Sequence, residues 1–382
     1  MFLQGYPTIS QTYMTNEVDA LKDLYDLRVI STKKGDLPGA RYYPFELVTE
    51  RGRMREIIEE FRPQVLHGHY LHMAKLLAEL GERYRIPFTI RTHSFDSLRD
   101  WHHRPRLGFP EVRAVRSDAC AGILAFPFVR PLMESVGIPA SKIIDCYPVI
   151  NYQRFFDRSP NGEAVLNVGA CIPKKRVEDF VDLGKLVTKT LNVYAIGYDH
   201  KSLSAYNEAN GSPVTVHRAV EPQEMPAVYK AHGWLVYTAC PKLKNVGWPM
   251  AVAEAQAAGL GVCFPAIRPD VREYVGDAGF LYTSIQEVAD ILRNPYPAEM
   301  RERGFEHAKK SDIETHRHLL TDVWDRVVGT RPRFGLRNSY RLYTAATEPL
   351  RTGLRVARVF RKPCDSPSSR LSLQEETHPI AT

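Results

Sequence analysis

Two doubly wound α/β domains, each built on a parallel sheet, are what this sequence predicts, and three observations predict them. Short apolar segments of strand type alternate with helical patterns, and strand–helix alternation produces parallel sheets covered on both faces. The alternation runs through the first half of the chain, breaks, and starts again. At 382 residues the chain is also longer than one ordinary hydrophobic core accommodates.

In order, the first half offers the strands "MFLQ", "LRVIS", "QVLHG", "PFTIRT", "CAGILAF" and "KIIDCYPV". Helical patterns over 10–24 and 72–84 lie between them. The break falls in "NYQRFFDRSPNGEA", whose Ser-Pro-Asn-Gly run is turn chemistry. The second half offers "AVLNVGA", "LNVYAIG", "PVTVHRA", "WLVYTA" and "LGVCFP". Its helices are expected over 177–187, 224–231, 249–258 and 285–292. The expected division is therefore 1–150, a linker over 151–163, a second domain over 164–329, and a tail over 330–382. Ligands of such sheets bind beyond the carboxyl ends of the strands, so the cleft between the domains is the expected site.

The composition, 44% hydrophobic and 25% charged, is that of a soluble globular protein. No apolar run is long enough to span a bilayer. The opening "MFLQGYPT" lacks a basic region followed by an apolar one, so no signal peptide is expected and the reading is cytoplasmic. The six cysteines, 120, 146, 171, 240, 263 and 364, form no CxxC pair and read as free thiols in a reducing compartment. The net charge of +7 belongs to the tail, where nine basic residues and one acidic residue from Arg331 to Lys362 give +8 and leave the rest of the chain near neutral. On a helical wheel Arg351, Arg355, Arg358 and Lys362 share one side, with Leu350, Leu354, Ala357 and Phe360 largely on another. Two readings stand for this tail. One is a basic amphipathic helix on an anionic membrane surface, making the protein peripheral at the inner face. The other is a packing helix followed by a solvated end. Nucleic acid is not expected as a partner, because the basic residues are not interleaved with a stacking platform.

The chemistry-bearing residues cluster at expected strand ends. In "GYPTISQTY", Gly5 permits close backbone approach and Ser10 or Thr12 is placed to cap a helix. In "RTHSFD", His93 and Asp96 reach the cleft edge, where a histidine hydrogen-bonds a ligand or shuttles a proton, or is merely structural. "HGHYLHMA" places His67, His69 and His72 close in sequence, but with no helical i, i+4 pair and no obvious carboxylate partner, so no metal is expected. In "VGACIPKKRVEDF", Gly169 makes a turn, and Lys174, Lys175 and Arg176 sit at a helix start, where cations oppose the helix dipole. In "VGWPMAVAEAQAAGLGVCFP", Pro249 opens a helix of small residues and Gly259 closes it. The free amides at that helix start suit a phosphate, and a diphosphate shared with the lysines would remove their conflict with the dipole. Glu254 lies about five residues further on, roughly 7–8 Å along the axis. A ribose diol at that distance suits it, and so does a plain solvated helix position.

With these pieces in order, residues 1 to about 328 resemble the retaining GT-B glycosyltransferases of glycosyltransferase family four, whose fold pairs two Rossmann-like domains. "GYPTISQTYMTNEVDAL" is similar to the opening "FPxxSETFxxNExxxL", and "VLHGHYLHM…IPFTIRTHSFD" to "HAHF…GxPFxxTxHxxD". "VLNVGACIPKKRVEDFV" is similar to "xLxVGRLxxKKGxxxLI", and "GWPMAVAEAQAAGLGV" to "EGxPxxxxEAMAxGxPV". The resemblance implies transfer of a sugar from a nucleoside-diphosphate donor to a hydroxyl of a glycan or lipid-linked acceptor, with no further cofactor. It implies that Glu254 binds the ribose, that Lys175 neutralises the diphosphate, and that His93 contacts the sugar. The backbone at Gly247, Trp248, Pro249, Met250 and Ala251 would hold sugar and phosphate, and that from Arg218 to Val220 would meet the base. Three positions depart from the pattern: Val246 stands where the first motif glutamate is expected, Ala170 where an arginine is, and Gln11 where a glutamate is. Lys174 or Arg176 would have to replace the lost cation. With Val246 and Ala170 in view, the competing reading is a nucleotide-sugar-binding partner protein without turnover.

Overall fold

The computed structural model describes residues 1–93, 110–197, 200–242, 246–329, 335 and 338–347. Asp96, Cys364 and the eight wheel residues between Leu350 and Lys362 lie outside them. Residues 1–340 form one compact unit, which carries everything below; residues 341–382 form a second.

The first unit holds two all-parallel sheets. The first has the order β3-β2-β1-β4-β5-β6-β7, built from Phe2–Leu3, Val29–Ser31, Phe45–Leu47, Leu66–His69, Phe88–Arg91, Cys120–Ala125 and Ile143–Asp145 as β1 to β7. The second has the order β10-β9-β8-β11-β12-β13, from Ala164–Ala170, Leu191–Ile196, Thr215–Arg218, His232–Val236, Gly261–Pro265 and Phe280–Tyr282 as β8 to β13. Every pairing in both sheets is parallel. Strand order reverses between β1 and β4, and again between β8 and β11. Those reversals are where the loops at the carboxyl ends splay apart and leave room for a ligand.

The central strands are apolar because helices cover both their faces. Leu166, Val193, Leu235 and Val262 are essentially inaccessible to solvent. The two strands that the residue pattern does not announce, β3 and β13, are edge strands of three residues each, too short to show a period. The helix expected over 10–24 spans Thr12–Leu21. Its N-cap position is Gln11, with no side-chain cap, so neither Ser10 nor Thr12 caps it.

After the second sheet the chain returns to the first. Helix Ile313–Val327 packs Leu320 and Trp324 against Leu21, Leu124 and Cys146. Trp324 Nε1 donates to Thr89 Oγ1 at 2.9 Å. Cys120, Cys146, Cys171 and Cys263 are buried free thiols, and Cys240 is a half-buried one. No helix among the described residues is long and apolar enough to cross a membrane.

Candidate functional site

A cleft of about 370 Å³ lies between the two sheets, walled by the loops that follow β1, β4 and β5 on one side and β8 to β11 on the other. The cationic wall starts at β8. Gly169 has φ +131°, and a Cβ there would sit 2.5 Å from Lys175 Nζ. Glycine thus supplies both the turn and the space through which the lysine reaches the cleft. Pro173–Lys175 is a single 3₁₀ turn, and Arg176 follows in the left-handed region before helix Glu178–Gly184 begins. Lys175 Nζ lies 5.1 Å from the centroid of the Tyr237 ring. No carboxylate pairs with it among the described residues, and burial lowers its pKa to about 8. Lys174 also lines the cleft. Arg176 does not: it turns outward and pairs with Asp179 at 2.7 Å. Of the two residues that sequence offers in place of an arginine at Ala170, the structure leaves Lys174.

Gly169→Ala is expected to destabilise the fold by about 1–3 kcal/mol, because a side chain at that φ is strained. It is also expected to displace Lys175. Thermal unfolding measures the first effect, and the loss of any pH dependence of ligand binding near 8 measures the second.

Opposite the lysine stands helix Met250–Ala257. Pro249 occupies its N-cap position in extended conformation, so the helix begins one residue later than the start at Pro249 expected from the sequence. Residues Gly247 to Ala251 line the cleft. Three contacts hold them in place. Tyr274 Oη donates to the Pro249 carbonyl at 2.6 Å. Trp248 stacks on Tyr274 at 4.9 Å and donates Nε1–H to Asp270 at 2.9 Å. The other side of Trp248 meets Phe126 and Tyr147 of the first sheet, at 5.7 and 5.0 Å. The cleft therefore has an aromatic cluster under the start of helix Met250–Ala257. Val246 is 3% exposed, and Arg268 donates to its carbonyl, so this position contributes an apolar wall.

One turn into the helix, Glu254 is half-buried at the cleft floor. Tyr229 Oη donates to its Oε2 at 2.7 Å. Burial raises its pKa, opposed by that hydrogen bond and by the Arg154 charge. Its second oxygen belongs to a carboxylate desolvated on a ligand-sized surface, which is not the environment of a solvated helix face.

The first-sheet wall is made by Ile9 to Tyr13, Tyr70, Thr92 and His93. Gln11 presents an amide oxygen that is buried and has no hydrogen-bond partner among the described residues. His93 packs between Tyr13 and Tyr70, with ring centroids at 4.1 and 4.7 Å, and burial holds it well below the usual histidine range. Behind it lies a network that sequence reasoning missed. Glu17 is 2% exposed and accepts from His67 Nε2 at 2.7 Å, His69 Nε2 at 3.0 Å and Arg91 Nε at 2.5 Å. The histidines thus do have a carboxylate partner, contrary to the expectation from "HGHYLHMA". Glu17 comes from another helix, invisible to spacing within the motif. Together the three ligand atoms lie within 4.8 Å of one another, a grouping able to hold a metal ion. The Arg91 guanidinium against the same carboxylate already balances its charge, however, and both Nε2 atoms lie within hydrogen-bond distance of it. We read the cluster as a hydrogen-bond network.

Not every expected residue lines the cleft. Gly5, at φ +74°, sits in the turn behind it, where its carbonyl accepts from Thr8 Oγ1. Arg218 is exposed and off the lining, whereas Ala219 and Val220 are on it. His72 stacks on Tyr70 at 5.6 Å. The structure adds Arg154, Tyr147 and Tyr229 to the lining. None of these was singled out from the sequence.

No family model matches this chain, and no curated protein matches it. Solved structures do. Anabaena Alr3699/HepE in complex with UDP aligns with a TM-score of 0.69 at 14% identity, over 85% of this chain and 99% of that one. Sucrose-phosphate synthase from Thermosynechococcus elongatus aligns with a TM-score of 0.65 at 11% identity, over 86% and 98%. WaaG, a glycosyltransferase involved in lipopolysaccharide biosynthesis, aligns with a TM-score of 0.58 at 15% identity, over 86% and 99%. At these identities the likeness establishes the fold: two parallel-sheet α/β domains of the GT-B type facing a cleft.

Proposed function

We propose that the protein is a retaining glycosyltransferase of the family-four type, which takes a sugar from a uridine-diphosphate donor and passes it to a hydroxyl of a glycan or lipid-linked acceptor. The single observation that carries this reading is the pairing across one cleft of Lys175, unpaired by any described carboxylate, with the start of helix Met250–Ala257, and Glu254 one turn further in. A cation and free helix amides facing each other form an anion site. A carboxylate one turn beyond suits a pentose diol joined to that anion. Uridine is chosen because Alr3699/HepE, similar in fold, is described in complexes with UDP and with UDP-glucose.

In this reading the leaving diphosphate gains negative charge as the bond to the anomeric carbon breaks. Lys175, Lys174 and the amides of Met250 and Ala251 stabilise that charge, the electrostatic contribution that usually dominates. His93 and the Gln11 amide oxygen face the sugar from the opposite wall. No protein nucleophile is assigned. A phosphate oxygen of the leaving group assists deprotonation of the acceptor on the face from which it departs, without metal, and retention follows. Domain closure over the cleft limits hydrolysis. The aromatic and apolar wall at Val246, Trp248 and Phe126 lacks a carboxylate contact to the sugar, and this is the observation that favours the second reading, a nucleotide-sugar-binding protein without turnover. We place the protein in the cytoplasm, with the basic tail as a candidate membrane contact.

A panel of nucleotide sugars in a thermal-shift assay tests the reading, since a ligand that binds only the folded form raises the melting temperature. Stabilisation by UDP and its sugars is expected. Turnover assays on the stabilising donors then separate enzyme from binder. Liposome co-sedimentation of the full chain against one ending at Gly329 tests the tail, and equal binding would remove its role.

A further inference from the structure

Strand β9 departs from the rule for a covered parallel sheet, whose inner strands are apolar on both faces. Leu191–Ile196 alternates instead. Leu191, Val193 and Ala195 enter the buried core, whereas Asn192, Tyr194 and Ile196 turn to the opposite face and are half-buried. On that face Tyr194 and Ile196 line the cleft together with Val168 and Ala219, and Pro222 and Met225 line it from the helix side. Met225 lies one turn ahead of Tyr229 on helix Met225–Lys230, and the Tyr229 hydroxyl holds Glu254. This part of the cleft therefore adjoins Glu254. The Tyr194 ring is braced there. Its register partner on β10, His217, stacks on it with centroids at 4.5 Å and planes at 12°. The imidazole is fixed in turn by a relay whose directions follow from one backbone carbonyl. The Val228 oxygen can only accept, so His232 Nδ1, 2.6 Å away, carries a proton. His232 is 2% exposed and burial lowers its pKa, so the ring is neutral and its Nε2 accepts from Asn192 Nδ2 at 3.0 Å. That orients the Asn192 amide, whose Oδ1 accepts from His217 Nε2 at 2.9 Å. His232 also meets Tyr194 edge to face at 6.2 Å.

We propose that Tyr194 is the stacking platform for the nucleobase of the donor, and that His217, Asn192 and His232 are positioning residues that hold its ring in place. The proposal rests on the transferase reading, which supplies the diphosphate and puts the pentose at Glu254. A base is the flat aromatic group joined to that pentose, and the apolar part of the cleft beside Glu254 is where it has to go. Every base offers a π face, so a braced aromatic ring there adds affinity through stacking. A plain structural face would be filled by apolar residues, as the core face of β9 is. Here a tyrosine is kept upright by a closed chain of hydrogen bonds on the face that borders a ligand-sized cleft. The positioning residues act through Tyr194 and need not touch the ligand.

The test is titration calorimetry of the full-length protein with UDP and, in parallel, with inorganic pyrophosphate. In Tyr194→Leu, UDP affinity should fall roughly 5- to 150-fold, the range for one lost base–aromatic stack, with pyrophosphate affinity within about twofold of wild type. Tyr194→Phe keeps the ring and should bind UDP within about twofold of wild type. Asn192→Leu breaks the relay and leaves the tyrosine, so it should weaken UDP by a smaller factor and again spare pyrophosphate. Apart from any variant, the uracil H5 and H6 signals of UDP should move upfield on binding to the wild type, through the ring current of a facing aromatic ring. Unchanged UDP binding in Tyr194→Leu, equal losses of UDP and pyrophosphate, or no upfield movement with the wild type overturns the proposal. Should Tyr194→Leu fail to fold, the wild-type spectrum decides. Wild-type binding of pyrophosphate with no added affinity for UDP defeats the platform and leaves the anion site standing. Binding of neither defeats the transferase reading as well.

Discussion

Lys175→Met is expected to lower kcat/KM for donor turnover about 100- to 1,000-fold, the usual cost of removing one preorganised group that stabilises transition-state charge. Methionine keeps the length and apolar stem, so the loss reports the charge and not the packing. The pH profile makes the assignment specific. The free protein holds Lys175 at about 8 by burial, so the cation is lost as pH rises through that value. A falling alkaline limb of kcat/KM near pH 8 should follow, since kcat/KM reports groups of the free enzyme. Lys175→Arg, always charged, should shift that limb upward or remove it. Stability carries the opposite sign. The folded pKa lies below the unfolded one, so the unfolded chain binds the proton more tightly over the interval between them. This group's contribution to folding stability therefore rises with pH across that interval. Activity falling while stability from the same group rises separates a strained functional lysine from one in a structural ion pair.

Glu254→Gln is the second large effect. Glutamine keeps one acceptor oxygen and loses one charge-assisted hydrogen bond, worth about 1.5–3 kcal/mol, so donor KM is expected to rise roughly 10- to 150-fold. Glutamine is preferable to alanine here, because alanine strands the fully buried Tyr229 hydroxyl, whereas the glutamine amide oxygen still accepts from it. Binding calorimetry with UDP and its 2′-deoxy analogue provides the internal control. Wild type should discriminate between them, and Glu254→Gln should discriminate much less. The raised pKa of Glu254 fixes the direction with pH: the ionised form is the acceptor, so donor binding weakens as pH falls through a value above the ordinary glutamate range.

What could be read from the chain was what local pattern encodes. Strand–helix alternation announces both sheets because central strands in a parallel sheet are apolar on both faces. The Gly169 turn, the following lysines and the Pro249 helix are short segments whose backbone chemistry is local, and they meet across one cleft. The partners were not legible where they arrive from distant segments. Glu17 reaches His67 and His69 from fifty residues away, and Tyr229 reaches Glu254 from twenty-five. Trp324 returns from the far end of the unit to orient Thr89. Nothing in the spacing of "HGHYLHMA" could supply a carboxylate that the fold brings from another helix. Arg176 is the converse case: sequence places it beside Lys175, but its left-handed backbone turns it toward Asp179.

Isothermal titration of UDP into the wild-type protein, Lys175→Met and Glu254→Gln at neutral pH tests the central claim most directly. The account predicts saturable one-to-one binding by the wild type, weakened in both variants, with the lysine variant losing its discrimination between UDP and uridine. Absence of wild-type binding, or binding that neither substitution changes, would contradict it.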